Sequence, residues 1–106
     1  MDTLELLKKA IELRKPITYE YNAPDRAIGP RLGNPHAIFI STSGNMNIDI
    51  YKLDGVRSTP DKLPAWRQYK VKNIENVIIH VEENIFEIAP GYNPVSKQYS
   101  RVIKKI

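Results

Sequence analysis

The chain opens with apolar residues at helical spacing. Leu4, Leu7, Ala10 and Ile11 make one face, which Leu6 and Leu13 broaden, while Lys8, Lys9, Glu12 and Lys15 fall mostly on the other side. Asp2 can cap this helix with Glu5 three residues on, as in a capping box, and Pro16 ends it. After Pro16 the period shortens to two. Ile17, Tyr19 and Tyr21 alternate with Thr18 and Glu20, the pattern of a half-buried strand. Asn22-Ala23-Pro24-Asp25 has turn chemistry. Arg26 to Leu32 predicts a second strand marked by Gly29-Pro30, and Gly33-Asn34-Pro35 predicts a break. His36 to Thr42 predicts a third strand around Ile38-Phe39-Ile40. Ser43-Gly44-Asn45 signals a tight turn into Met46, Ile48 and Ile50, which alternate with Asn47, Asp49 and Tyr51, so this pair reads as a hairpin.

Asp54 to Ala65 carries Gly55, Ser58, Pro60, Asp61 and Pro64 and predicts an irregular loop. At about twelve residues it has a length at which loops often carry function. Trp66 to Asn73 is strand-like, Ile74 to Val81 predicts a buried strand, and Asn84 to Ala89 predicts another short one before a turn at Pro90-Gly91-Tyr92. The chain then predicts a second helix. Asn93 can cap it, Pro94 suits its first position, and Val95, Tyr99, Val102, Ile103 and Ile106 form an apolar stripe. Lys97, Arg101, Lys104 and Lys105 form a basic stripe, which either complements the helix dipole or meets a ligand. Helix, five to seven short strands and helix predict an α+β chain that is mainly β, curled into a small barrel that removes exposed edges.

A length of 106 residues predicts one domain, 1–106. Hydrophobic residues at 42% and charged residues at 26% are near the globular average, so a core can form without a disulfide or metal. The absence of cysteine excludes a disulfide scaffold, a thiol nucleophile and a zinc-thiolate or iron–sulfur site. Two histidines far apart, His36 and His80, argue against a catalytic metal, and no cofactor is implied. A net charge of +4 and a pI near 9.4 favour an anionic partner without identifying it. No apolar run approaches the ~20 residues of a membrane span. Asp2 and Glu5 stand where a signal peptide carries positive charge, so the expectation is a soluble, cytosolic protein.

No enzyme signature emerges. Ser41, Ser43, Ser58, Ser96 and Ser100 have no nearby histidine and no glycine elbow. His80 sits in an apolar run, the setting of a satisfied core or edge histidine, and His36 follows Asn34-Pro35 at a strand start, a place compatible with exposure. Asp49, Asp54 and Asp61 are not a spaced metal-ligand set, and Gly29, Gly33, Gly44 and Gly55 do not make a phosphate-cradling loop. Anion binding is better supplied. Arg26, Arg31, Arg57 and Arg67 fall on strands or in the loop, where a guanidinium fork can take two phosphate oxygens while its face stacks. Tyr51, Trp66, Tyr69 and Phe39 could stack on bases. In Trp66-Arg67-Gln68-Tyr69-Lys70-Val71-Lys72, one face holds Trp66, Gln68, Lys70 and Lys72 and the other Arg67, Tyr69 and Val71. The plain alternative is a half-buried strand with a solvated lysine face.

These residues resemble the motifs of WYL domains. Arg26-Ala27-Ile28-Gly29-Pro30 resembles their Arg-x-Ile-x-Pro signature, placed after the Ile17–Tyr21 strand. Trp66 to Ile74 resembles their later Arg-x-aromatic stretch, with Asn73 in place of a basic residue. Ile50 to Ser58, and Pro90-Gly91-Tyr92-Asn93-Pro94, look like the short free-standing members of bacteria and their phages. The resemblance covers nearly the whole chain. It departs at the Trp-Tyr-Leu triplet, where His36-Ala37-Ile38-Phe39-Ile40 keeps only the apolar character, and there is no helix-turn-helix of the larger regulators.

The resemblance implies an SH3-like small β-barrel with N-terminal and C-terminal helices. It implies a non-enzymatic regulatory or accessory domain, in a phage or defence setting, that binds nucleic acid (single-stranded by preference) or a nucleotide ligand. Arg26 and Arg67 match the two motif arginines and would contact phosphate; Tyr51, Lys52, Arg57 and Trp66 would add contacts. Two rival expectations stand beside it. One is a sponge or sensor for a small cyclic oligonucleotide; the other is a protein-interaction module that forms a homo-oligomer. A homodimer is expected from the apolar surface of Leu4, Leu6, Leu7, Ile103 and Ile106.

Overall fold

Asp2 caps the first helix as its position predicts, accepting from the Glu5 N–H at 2.8 Å. The helix α1 spans Thr3–Leu13 and buries Leu7, Ala10 and Ile11. It ends at Arg14, which takes a left-handed φ of 54° while its own N–H and that of Lys15 bond the Ile11 and Ala10 carbonyls. The computed structural model describes residues 1–58, 60 and 62–106. Thr59 and Asp61, both in the predicted 54–65 loop, lie outside the described residues.

Six strands follow: β1 (Ile17–Tyr21), β2 (Arg31–Ile40), β3 (Met46–Gly55), β4 (Ala65–Lys70), β5 (Ile74–Ile79) and β6 (Val102–Lys105). They form one antiparallel sheet in the order β4-β3-β2-β1-β5, with β6 also paired to β2. The chain is α+β and mainly β, but the sheet is not closed into the expected barrel. The inner face carries Ile17, Tyr19, Ile38, Ile48, Ile50 and Tyr69, and α1 packs its buried stripe onto them. Each such aliphatic side chain contributes roughly 1.5–3 kcal/mol when fully buried. Leu7 lies in this core, and Leu4 and Ile106 pack against it. Three of the five residues behind the dimer expectation are therefore used inside the fold.

The hairpin at Ser43-Gly44-Asn45 forms as predicted, with Gly44 at φ 86° and Ile40 opposite Met46. Five other expectations are corrected. The second predicted strand begins at Arg31, not Arg26, because the chain reverses at Gly29, whose φ is 133°. It then runs through Gly33-Asn34-Pro35 without a break, since the register shifts between Pro35 and Ala37 and the ladder accommodates a proline there. Residues 84–89 form no strand; their backbone turns instead to the end of α1, with the Phe86 N–H on the Arg14 carbonyl at 3.0 Å. Strand β5 is not buried on both faces but is an edge with Ile78 largely exposed.

The fifth correction is the C-terminal helix. Residues 93–106 instead form a 3-10 turn, Lys97–Tyr99, opened by Ser96 accepting from the Gln98 N–H, and then β6. Strand β1 pairs only with Arg31, Leu32 and Gly33 of β2, which leaves the far half of β2 with unpaired backbone groups. Those groups require partners when buried. Strand β6 supplies them at Ala37, Ile38 and Phe39, aided by the Ile40 N–H on the Arg101 carbonyl and the Ile106 N–H on the His36 carbonyl. Among the described residues no helix is long and apolar enough to cross a membrane.

Candidate ligand site around the fourth strand

Strand β4 separates two chemistries by its period of two. In the ladder with β3, Ile48 faces Tyr69 and Ile50 faces Arg67, so Arg67 and Tyr69 share the inner side with the core. Tyr51 faces Trp66 and Asp49 faces Gln68, which sets Trp66 and Gln68 on the outer side. Tyr69 and Val71 are buried, while Lys70 and Lys72 are exposed. Trp66 is half-buried, so its side of the strand is not simply a solvated face.

At the end of the sheet where β3 leaves for the 56–64 segment, cations gather. Lys52 is only 1% exposed, and its ammonium donates to the Val56 carbonyl. Arg31 is 3% exposed; its guanidinium donates to the Ala27 carbonyl at 2.9 Å and to the Tyr69 hydroxyl at 3.4 Å, and lies over the Tyr21 and Tyr69 rings. Among the described residues its Nε has no hydrogen-bond partner. Among the described residues no carboxylate bonds either cation. Burial pushes the Lys52 pKa down to about 8, and the charges of Arg31, Arg67 and Arg57 push in the same direction. Positive charge in so enclosed a place is costly and projects strongly outward.

The predicted residues lie at this end in different degrees. Lys52 is sealed beneath it, Arg67 is half-buried with Nη1 on the Trp66 carbonyl at 2.8 Å, and Arg57 is exposed. Arg26 is exposed on the 22–30 turn. The next residue ties that turn to the site: the Ala27 N–H donates to Ser58 Oγ at 2.9 Å, beside Arg57, and the Ala27 carbonyl takes Arg31. Arg26 thus stands one residue before the Ala27 contacts that tie its turn to Arg31 and Ser58. Glu20 on β1 accepts from the Asn76 side-chain amide at 2.6 Å. Arg31 is the residue that sequence reasoning undervalued. Its signal is an arginine opening a strand with no other charged residue.

On the outer side of β4 lies a recess of about 360 Å³, lined by Asp49, Trp66, Arg67, Gln68, Tyr92 and Tyr99 among others. Trp66 stacks near Tyr92 at 6.2 Å between ring centres, meets Tyr51 at 5.3 Å edge-on, and donates its indole N–H to the Pro90 carbonyl at 2.7 Å. Asp49 is buried and accepts from the Gln68 amide at 2.9 Å and the Tyr99 hydroxyl at 2.6 Å. Burial first, and then the bond to the Asp49 carboxylate, hold the Tyr99 hydroxyl protonated far above the usual range. The recess offers aromatic edges, amide groups and a neighbouring guanidinium, the complement of a planar, hydrogen-bonding ring. His36 corrects the exposure expectation: it is wholly buried between Trp66, Phe86 and Tyr92. It was legible only as a lone histidine, and the aromatic packing that surrounds it comes from residues far along the chain.

No family model and no curated protein matches the sequence. The fold does have a counterpart. It is similar to part of the solved structure of proteasome accessory factor B/C (PafBC) of Arthrobacter aurescens, with a TM-score of 0.66 at 14% sequence identity over 87% of this chain. The likeness is one of fold. This chain covers 13% of the PafBC chain.

Proposed function

We propose that the chain is a non-catalytic regulatory domain that binds a phosphate-bearing nucleotide ligand, either as single-stranded nucleic acid or as a free nucleotide. The observation that carries this reading is the pair of buried cations, Arg31 and Lys52, held without a bonded carboxylate among the described residues, behind the half-buried Arg67 and the exposed Arg57. The enclosed pair acts as a fixed positive field, and the outer arginines with Arg26 make the phosphate contacts. Trp66, with Tyr51 and Tyr92 beside it, supplies a stacking surface for a base next to Arg67. The fold likeness to PafBC supports a regulatory role at the level of fold analogy.

The test is binding of labelled single-stranded DNA, single-stranded RNA, duplex DNA and a panel of linear and cyclic nucleotides, at two salt concentrations, to wild type, Arg67→Ala and Lys52→Met. Phosphate binding predicts an affinity that falls with salt and falls in both variants, more in Arg67→Ala. The panel separates strand binding from capture of a free nucleotide. Failure of every member to bind, or an unchanged affinity in Arg67→Ala, overturns the reading and favours the interaction-module alternative.

A further inference from the structure

Thr18 lies on the face of β1 that turns away from the core, between the buried Ile17 and Tyr19. In the ladders it stands opposite Leu32 of β2 and Ile78 of β5. His80 is two residues beyond Ile78, so it returns to the same face, diagonal to Thr18. The His80 N–H bonds the Pro16 carbonyl at 2.9 Å, which extends the pairing past the end of β5 and sets the ring beside the threonine.

Three side chains form a relay here. The Glu82 carboxyl is held below its usual range, by its own backbone N–H above all, so it is ionised and only accepts. The ring proton of His80 therefore sits on Nδ1, which donates to Glu82 Oε1 at 3.2 Å. Nε2 keeps its lone pair and accepts the Thr18 hydroxyl at 2.5 Å. A hydroxyl, an imidazole that can take its proton and a carboxylate that sets the tautomer are the parts of an activated oxygen nucleophile. None of the three is sealed: Thr18 is half-buried, the His80 side chain is 26% exposed, and Glu82 is exposed.

Thr18 and His80 open onto a groove of about 760 Å³, within the range of small-molecule sites. Leu32, Leu53, Ile85 and Phe86 are its apolar walls. The segment over it is pinned, since the Phe86 N–H bonds the Arg14 carbonyl at 3.0 Å and Arg14 Nη2 bonds the Phe86 carbonyl at 2.6 Å. The groove is therefore built before a molecule enters, which lowers the entropic cost of binding. It shares Arg31 with the cationic end beside β4. Neither Arg31 nor a bound nucleotide takes part in the step below.

We infer that Thr18 is a covalent modification site, which takes an aliphatic acyl group from an activated donor of the thioester class bound in this groove. The acyl chain lies between Leu32, Leu53 and Ile85, and the carbonyl carbon meets Thr18 Oγ1. As the Oγ1–carbon bond forms, the hydroxyl proton passes to His80 Nε2. The carbon–sulfur bond then breaks, and the leaving thiolate takes that proton from His80 and departs as a thiol. The products are a threonyl ester and a free thiol, and nothing is oxidised or reduced. A thioester suits a threonine hydroxyl because its leaving group is good and its conversion to an oxygen ester runs downhill. The chain is the acceptor in this step and is consumed by it, with the buried acyl chain keeping water from the new ester.

The experiment incubates the full chain with p-nitrophenyl hexanoate and with the hexanoyl thioester of N-acetylcysteamine, and reads the adduct by intact mass and peptide mapping. The expected result is a burst of leaving group approaching one per chain, with one hexanoyl group on Thr18. The acetyl analogues label at least about tenfold more slowly at equal concentration, because the groove holds the longer chain. Thr18→Val keeps the shape of the side chain and abolishes the adduct, and His80→Gln slows it at least about 100-fold. Glu82 is a positioning residue. In Glu82→Gln the rate falls, the half-saturating ester concentration stays, and the ring-nitrogen NMR signals of His80 report a mixture of tautomers. Mapping on the wild type decides the matter even where a variant folds poorly. No adduct, an adduct confined to lysines, equal rates for acetyl and hexanoyl donors, or undiminished labelling of Thr18 in His80→Gln overturns the inference.

Discussion

The Tyr99 hydroxyl donates to the Asp49 carboxylate at 2.6 Å, across fifty residues of chain. The bond joins the 3-10 turn after Ser96 to the outer face of β3, and it sits on the small aromatic cluster of Ala37, Phe39 and Tyr99. It holds in place the segment that turns into β6, and it sets one wall of the recess beside Trp66.

Replacing Tyr99 by Phe leaves one Asp49 oxygen without its donor in a buried place. The expected loss is about 1–3 kcal/mol of stability, read as a lower urea midpoint with an unchanged slope. Tyr92→Phe is the control. Its hydroxyl donates to the Ile106 carbonyl at 3.0 Å and the residue is half-buried, so about 1 kcal/mol or less is expected. Equal effects of the two variants would show that the Asp49 bond is not special.

Lys52 predicts opposite effects on stability and on binding. Lys52→Met removes a buried ammonium and keeps the apolar stem, so the variant is expected to be about 1–3 kcal/mol more stable while binding nucleotide more weakly. The pH dependence has a definite sign. The folded pKa, near 8, is below the ordinary value of 10.5, so between these pH values the unfolded chain holds more protons and this group's contribution to stability rises with pH. An anion bound nearby raises the pKa again. Binding should therefore take up protons near pH 8.5 and weaken as pH rises toward 10.5, measurable by calorimetry in buffers of different ionisation enthalpy.

His36 predicts acid sensitivity. Its Nε2 accepts from the Ala89 N–H at 3.1 Å and its Nδ1–H donates to the Asn34 carbonyl at 2.8 Å, so the neutral ring satisfies both neighbours. Burial is the main cause that lowers its pKa below 6.5. The unfolded chain takes up a proton that the folded chain refuses, so stability is full above pH 6.5 and falls as pH drops below it. Imidazole NMR signals of His36 should stay those of the neutral ring at pH 6; half-titration at 6.5 or above would contradict this.

Three glycines predict a graded series. A Cβ on Gly33 would lie 2.4 Å from Ile50 Cγ2 and 3.1 Å from the Tyr51 carbonyl oxygen. One on Gly55, at φ 108°, would meet the Pro30 oxygen and the Arg31 Cα at 2.5 Å, both backbone atoms that cannot yield. Gly44 turns the hairpin at φ 86° with nothing within 4 Å. Alanine at Gly55 or Gly33 should cost about 2 kcal/mol or more, and at Gly44 about 1 kcal/mol, by thermal or urea unfolding.

The sequence by itself determined the elements whose causes are local. The Asp2 cap and the 3.6 period of Leu4, Leu7 and Ile11 require α1, and the alternation around Ser43-Gly44-Asn45 requires the β2–β3 hairpin. The two faces of β4 were also legible, because a period of two depends only on the strand's own backbone. What only the tertiary structure decided depends on partners distant in sequence. Residues 93–106 have helical spacing, yet the unpaired half of β2 draws them into β6; residues 84–89 alternate like a strand, yet their backbone finds its partner at the end of α1. Arg31 and Lys52 look like ordinary strand cations until β2, β3 and β4 bring them under one surface with Arg67. Hydrogen-bond satisfaction and burial are properties of the assembled sheet, and no short stretch of sequence carries them.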